Sequence, residues 1–158
     1  MAFWSNKDTS PARKYRFKVG TAKNINWWYA NSVSLPSFEI NTNEYQLINQ
    51  KFKYPGVPTW NDVTISIVDV ADSVKEIKKL LKQYKFDFLQ VEGIQKEFNN
   101  QGNDFVIEQM KSDGKALRTW TLVNSFIKSV NYGDLDYGSD ELVSIEIVVS
   151  YDYATTEK

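Results

Sequence analysis

Through much of this chain apolar and polar residues alternate with a period of two, and that rhythm restricts most of it to β-sheet. In "NDVTISIVD" (61–69), Val63, Ile65 and Ile67 form one row and Thr64 and Ser66 the other. In "ELVSIEIVVSYDY" (141–153), Val143, Ile145, Ile147, Val149, Tyr151 and Tyr153 form an apolar row, with Ser144, Glu146, Ser150 and Asp152 among the residues opposite. Successive side chains of a strand point to opposite faces, so each stretch predicts a strand with one face in a core and one in water. From Lys14 the same rhythm sets Tyr15, Phe17 and Val19 against Lys14, Arg16 and Lys18, until Gly20 ends it. "INWWYANSVSL" (25–35) is β-rich up to Pro36, and "SFEI" (37–40) is short and extended. "FVIEQM" and "ALRTWTLVN" flank "KSDGK", which predicts a hairpin with Asp113-Gly114 at its tip. "FIKSV" and the turn-rich "NYGDLDYGSD" precede the closing strand.

One segment changes period. In "DSVKEIKKLLKQYKF" (72–86), Val74, Ile77, Leu80, Leu81 and Tyr84 recur at helical spacing, and Asp72 or Ser73 is placed to cap the start. Lys75, Lys78, Lys79, Lys82 and Lys85 share one arc of that helix. Residues 86–104 read as an irregular, loop-rich crossing marked by Gly93, Asn99, Asn100, Gly102 and Asn103. The sum is seven or eight mostly antiparallel strands with one amphipathic helix, which predicts a mainly β chain, a sandwich or a barrel. With 158 residues, 42% of them hydrophobic and 25% charged, the chain suits one domain with one core. Its expected parts are a flexible arm at 1–12, the domain at 13–154 and a tail at 155–158.

"YQLINQKFKYPGVPTW" (45–60) is the stretch that fits an ordinary domain least. Polar and apolar side chains mix over a long ribbon, and Pro55-Gly56 and Pro58 are expected to stop it before Trp60 opens the next strand.

The residue inventory excludes much chemistry. There is no Cys and no His, so disulfides, thiolate metal sites and the commonest general base are missing. No P-loop, dinucleotide or G-x-S-x-G signature occurs, and nothing singles out a paired-carboxylate site. "DLDYGSDE" carries Asp134, Asp136, Asp140 and Glu141, but a calcium loop counted from Asp134 would put Gly138 at its fifth position and Ser139 at its sixth. A solvated turn explains it better. The lysine arc could meet phosphates or an acidic protein, although a solvated helix face is the commoner reason for such an arc, and a net charge of −1 gives no overall pull on nucleic acid. Trp27, Trp28 and Tyr29 could stack on sugars or bases, yet neighbours in a strand face opposite ways, which favours core or interface packing. The first residues predict no secretory signal, and no apolar run is long enough to span a membrane.

Several segments, taken in order, resemble the tail tube protein of contractile-tailed bacteriophages: "SVSLPSFEI" (32–40), "YPGVPTWNDVTISIVD" (54–69), the helix after it, "TWTLVNSFIKSVNYGDLDYGSDE" (119–141) and "SIEIVVSYDYA" (144–154). Inner tubes of type VI secretion and other contractile injection systems are related. The resemblance implies a structural virion protein, not an enzyme, without cofactors. It implies hexameric rings stacked into a tube, in which sheets of six copies share a β-barrel lumen that conducts DNA during ejection. Implied partners are further copies of the chain, the sheath, and baseplate and tail terminator proteins. Tape measure protein and DNA would pass through the lumen without specific binding, no membrane would be involved, and assembly would take place in the host cytoplasm. On that reading the ribbon 42–54 reaches beyond its own subunit to lock the stack, through Glu44, Tyr45, Gln46, Leu47, Ile48, Lys51, Phe52 and Tyr54. Thr64, Ser66, Ser144, Glu146 and Ser150 would face the lumen, and Lys75, Lys78, Lys79 and Lys82 the sheath. Alternatives are a tube initiator or baseplate component, the tube of a secretion system, and, from another class, a monomeric β-sandwich binding module.

Overall fold

The computed structural model describes residues 11–23, 25–26, 30–83 and 104–157. In these residues the chain runs β1 (Phe17–Thr21), β2 (Ile25–Asn26), β3 (Ala30–Val33), β4 (Ser37–Leu47), β5 (Gln50–Asn61), β6 (Val63–Val68), α1 (Ser73–Gln83), β7 (Phe105–Met110), β8 (Ala116–Val123), β9 (Phe126–Asn131), β10 (Ser144–Ser150) and β11 (Tyr153–Glu157). A five-stranded sheet has the order β11-β8-β7-β1-β2, a four-stranded sheet the order β3-β6-β10-β9, and among the described residues β4 and β5 pair only with each other. Every pairing is antiparallel.

The period-two rows become the core. Val63, Ile65, Ile67, Ile145, Ile147, Val149 and Ile127 come from the four-stranded sheet, and Val19, Phe105, Ile107 and Leu122 from the five-stranded one. Ile77, Leu80 and Leu81 of α1 complete the cluster, as their spacing requires. The result is a sandwich; no sheet of the described residues closes into a barrel. Ser73 at the helix start is fully buried, and its one hydroxyl proton is shared between the Val70 carbonyl (2.7 Å) and Asp69 Oδ1 (3.0 Å). The Asp72 carbonyl accepts the amide of Glu76 (3.0 Å), so Asp72 stands at the N-cap. The hairpin at 111–115 forms as expected, with Gly114 in the left-handed region (φ 80°) and the Lys115 amide on Asp113 Oδ1.

Four expectations are corrected. The described residues hold eleven strands, and what reads as one stretch is twice divided between two sheets. The closing strand is the plainest instance. It pairs with β6 and β9 up to Ser150, turns at Tyr151–Asp152, and continues from Tyr153 against β8 in the other sheet. Asp152 marks the corner: its amide donates to the Val123 carbonyl (3.1 Å), and its carboxylate accepts Asn124 Nδ2 (3.0 Å). Asn124 sits at φ 55°, a conformation Asn tolerates better than most residues, where the chain passes from β8 to β9. Consequently Thr155–Glu157 of the expected tail pair with Thr121, Trp120 and Thr119. Tyr15 does not join the row of Phe17 and Val19: it lies before β1, 71% exposed, with the Arg16 guanidinium 5.3 Å from its ring centre. Finally, Pro55, Gly56 and Pro58 do not end the ribbon; β5 runs through them. Residues 1–10 of the expected arm, Tyr84, Lys85 and almost all of the expected crossing 86–104 lie outside the described residues, as do Trp27, Trp28 and Tyr29.

Tyr151 ties the corner to the ribbon. Its hydroxyl donates to the Asn61 carbonyl (2.7 Å), and its ring lies 5.9 Å from Trp60, which in turn lies 5.1 Å from Phe38. Burial raises the phenol above its ordinary pKa of 10.0. The unfolded chain therefore ionises first as pH rises, so Tyr151 contributes its full stability below pH 10.0 and loses it progressively above. Tyr151→Phe should cost about 1 kcal/mol at neutral pH by loss of the hydrogen bond. It should also flatten the alkaline fall in the urea midpoint; an unchanged alkaline limb would show that the phenol ionises alike in both states.

Candidate assembly surfaces

The ribbon is an outgrowth of the four-stranded sheet. Its β3–β6 ladder (Ala30 opposite Ile67, Val33 opposite Ile65) continues through the Ser34 amide on the Thr64 carbonyl (3.0 Å) into β4–β5, from Ser37 opposite Asn61 to Leu47 opposite Gln50. The 12 residues of β5 span roughly 40 Å at the usual rise. Between the pairs Ile40–Pro58 and Thr42–Pro55 the register shifts, with Gly56 and Val57 facing Asn41 alone. A Cβ on Gly56 would stand 2.9 Å from the Asn41 carbonyl oxygen, so the bulge needs glycine there. The prolines are tolerated because a two-stranded ribbon has a free edge on each strand.

That extra residue exchanges the faces. Below the bulge Phe38, Ile40, Pro58 and Trp60 share a face, and the Phe38–Trp60–Tyr151 contacts tie it to the subunit. Beyond it the partners of Glu44 and Gln46 are Lys53 and Lys51, which makes the continuation of that face polar. Tyr45, Leu47, Phe52 and Tyr54 gather on the opposite face. All four are exposed, and Ile48 at the tip is 96% exposed. A two-stranded ribbon is marginal in water, and among the described residues nothing of its own subunit covers the apolar row on it.

The four-stranded sheet presents a polar outer face. Ser32, Ser66, Glu146 and Asn131 stand side by side across its four strands, with Thr64, Val148 and Ser129 in the next row. Lys128 reaches Asp62 at 2.8 Å beside them. Its border strands, β3 and β9, each have a side with no strand partner among the described residues. On α1, Lys75, Lys78 and Lys79 are exposed, and Lys75 is 3.6 Å from Asp72.

Residues 132–143 link β9 to β10. Asp136 Oδ1 accepts the Gly138 amide (2.9 Å) and Ser139 Oγ the Glu141 amide (3.3 Å), so this is a self-bonded turn. No acidic group among the described residues is arranged to hold a metal ion. Leu135 is 89% exposed and Leu142 76%, with Tyr137 fully exposed beside them.

Residues 13–155 match the family model described as T4-like virus tail tube protein gp19. The chain belongs to that family. A search of the curated proteins found no match. Among solved structures, the sheath/tube terminator of an extracellular contractile injection system (PVC, extended state) superposes with a TM-score of 0.75 at 22% identity, covering 94% of this chain and 97% of that one. The tube terminating cap of the anti-feeding prophage gives 0.73 at 21% identity, covering 93% and 91%. Hcp1 from Flavobacterium johnsoniae gives 0.53 at 10% identity, covering 90% and 94%. At these identities the likeness is one of fold.

On this tail tube fold, the residues singled out from sequence fall into three separate places. Glu44 to Tyr54 occupy the distal ribbon; Thr64, Ser66, Ser144, Glu146 and Ser150 belong to β6 and β10; and Lys75, Lys78, Lys79 and Lys82 lie on α1, where the Lys82 side chain is outside the description. Sequence reasoning missed Leu135, Tyr137 and Leu142, because Gly and Asp around them signal a turn and hide the apolar content. In the described residues of this tail tube family member, no helix is long and apolar enough to cross a membrane.

Proposed function

We propose that the chain is the ring-forming subunit of the inner tube of a contractile injection machine, a structural component of the tail and not an enzyme. The observation that carries this is the β4–β5 ribbon, whose distal apolar face is exposed and has no cover among the described residues of its own subunit. Two borders of one sheet, β3 and β9, have no further strand partner among the described residues, which supports lateral joining, since an unpaired edge is a template for another strand. Joined edge to edge in six copies, the four-stranded sheets make a closed wall whose polar face, with Thr64, Ser66, Ser144, Glu146 and Ser150, lines a water-filled lumen. Hydroxyls and a carboxylate hold phosphates poorly, so DNA and tape measure protein slide through. The exposed lysines of α1 face the sheath, where screened charge contacts release easily. A tube terminator is the second reading, favoured by the fold of the terminator structures.

Negative-stain microscopy of the concentrated protein tests the proposal: six-fold rings and tubes are expected, and a stable monomer at high concentration overturns it. Uncapped growth into long tubes favours a tube subunit; single rings that stop growth when added to tubes favour a terminator. Within assembled particles, Glu146→Lys should leave tubes intact and slow ejection of DNA, read as dye-accessible genome against time. Unchanged kinetics would remove Glu146 from the lumen.

A further inference from the structure

Resting on the stacking reading above, the geometry points to the β9–β10 loop, 132–143, as the surface that receives the ribbon tip of the next copy. β6 starts at the ribbon base with Val63 and runs to Val68, while β10 runs the other way, with Ser144 opposite Val68. The loop before Ser144 therefore leaves the four-stranded sheet at the end remote from the ribbon. The Asp69 amide on the Val143 carbonyl (2.8 Å) pins its exit there. One sheet thus carries a projecting ribbon at its head and an exposed loop at its tail. Two different surfaces that meet head to tail do not close on themselves along the axis, so the contact repeats into a filament.

The two surfaces match in chemistry. Leu135, Tyr137 and Leu142 are among the exposed large apolar side chains of the loop, and Tyr45, Leu47, Ile48 and Phe52 are among those of the ribbon. Around the loop's apolar groups stand Asp134, Asp136, Asp140 and Glu141, with no cation in 132–143. The ribbon's polar face offers Lys51 and Lys53 against Glu44, with Lys51 only 3.9 Å from Glu44 across 62% and 49% exposed side chains. Opposite charge across a rim sets orientation more than affinity. Two loops, both acidic, repel each other, which disfavours tail-to-tail pairing and gives the stack one polarity.

The test uses two variants of the whole chain. Lys51→Glu with Lys53→Glu makes both surfaces acidic; Asp134→Lys with Asp140→Lys and Glu141→Lys makes both basic. Asp136 is spared because it bonds the loop to itself. At physiological salt each variant alone should pellet at least tenfold less tube than wild type. An equimolar mixture should recover to within twofold, in tubes of alternating rings, because each ribbon then meets a loop of opposite charge. Variants that pellet like wild type, or a mixture that recovers nothing although both variants show the wild-type circular dichroism spectrum, overturn the assignment while leaving stacking itself intact. Absence of tubes from wild type overturns both. Should a charge variant misfold, Leu135→Ser with Leu142→Ser replaces it: loss of tubes with the rings retained is expected, and normal tubes refute the loop's role.

Discussion

Replacing residues 44–53 with a two-residue Asn-Gly turn should yield a folded subunit that makes no tubes. The excised residues contribute nothing to the buried core, whose members all lie outside β4 and β5. The base of the ribbon stays, since Phe38, Trp60 and Tyr151 still pack and Thr42 still faces a residue of β5. The unfolding midpoint should therefore remain within a few degrees of wild type. Assembly loses far more. Tyr45, Leu47, Ile48 and Phe52 are at least 47% exposed, and burying such side chains contributes about 1–3 kcal/mol each. Four of them bring at least ~4 kcal/mol, a factor of about a thousand in each stacking contact. Sedimentation and microscopy read the outcome. Tubes of normal length from the shortened chain would end the stacking role, and a collapse of the unfolding midpoint would mean that the ribbon belongs to the subunit's own fold.

The strands that build the core were legible because alternation reports burial directly. Val63, Ile65 and Ile67 all reach 0% exposure, as do Ile145, Ile147 and Val149, and the change to helical spacing marked Ile77 and Leu80 equally well. Alternation does not report which sheet a strand pairs in. Tyr151 and Tyr153 keep their rhythm while the chain crosses from one layer to the other, so the corner at Asp152 left no signal in the apolar rows. Asn124 was a weak clue, since a left-handed Asn is common in any turn. The prolines misled for a physical reason: a missing donor breaks a central strand but costs little on a ribbon with a free edge. The same bulge that accommodates them moves the apolar row to the other face, and a bulge is a fact of pairing that one strand's sequence does not contain. The candidate assembly surfaces were legible as residue types and not as surfaces: the lysine arc and the serine row came from periodicity alone, whereas the position of 132–143 opposite the ribbon needed the register of β6 on β10.

Phe105→Ala should show the opposite signature to the ribbon replacement: a large loss of stability with the assembly surfaces untouched. Phe105 heads the fully buried side chains of the described residues by volume. It opens β7, opposite Thr21 of β1 and Leu122 of β8. Its amide donates to the buried Ser125 hydroxyl (2.9 Å), just beyond the Asn124 corner where the chain changes sheets. Alanine keeps that amide and its bond, so the cost is the lost transfer energy of the ring plus the cavity it leaves, about 3–5 kcal/mol. Against a total of about 5–15 kcal/mol, this takes a large fraction of the subunit's stability. At ~2–4 °C per kcal/mol for a chain of this size, the thermal midpoint should drop by about 6–20 °C. In the assembly proposed above, rings and tubes take up only the folded subunit and pull the equilibrium back, so the deficit measured on dilute subunits should shrink as concentration rises. A concentration-independent deficit would mean that this subunit does not associate through its folded form. A loss below about 1 kcal/mol would mean that the two sheets close over the vacancy, and that the packing at this corner is looser than the burial of Phe105 implies.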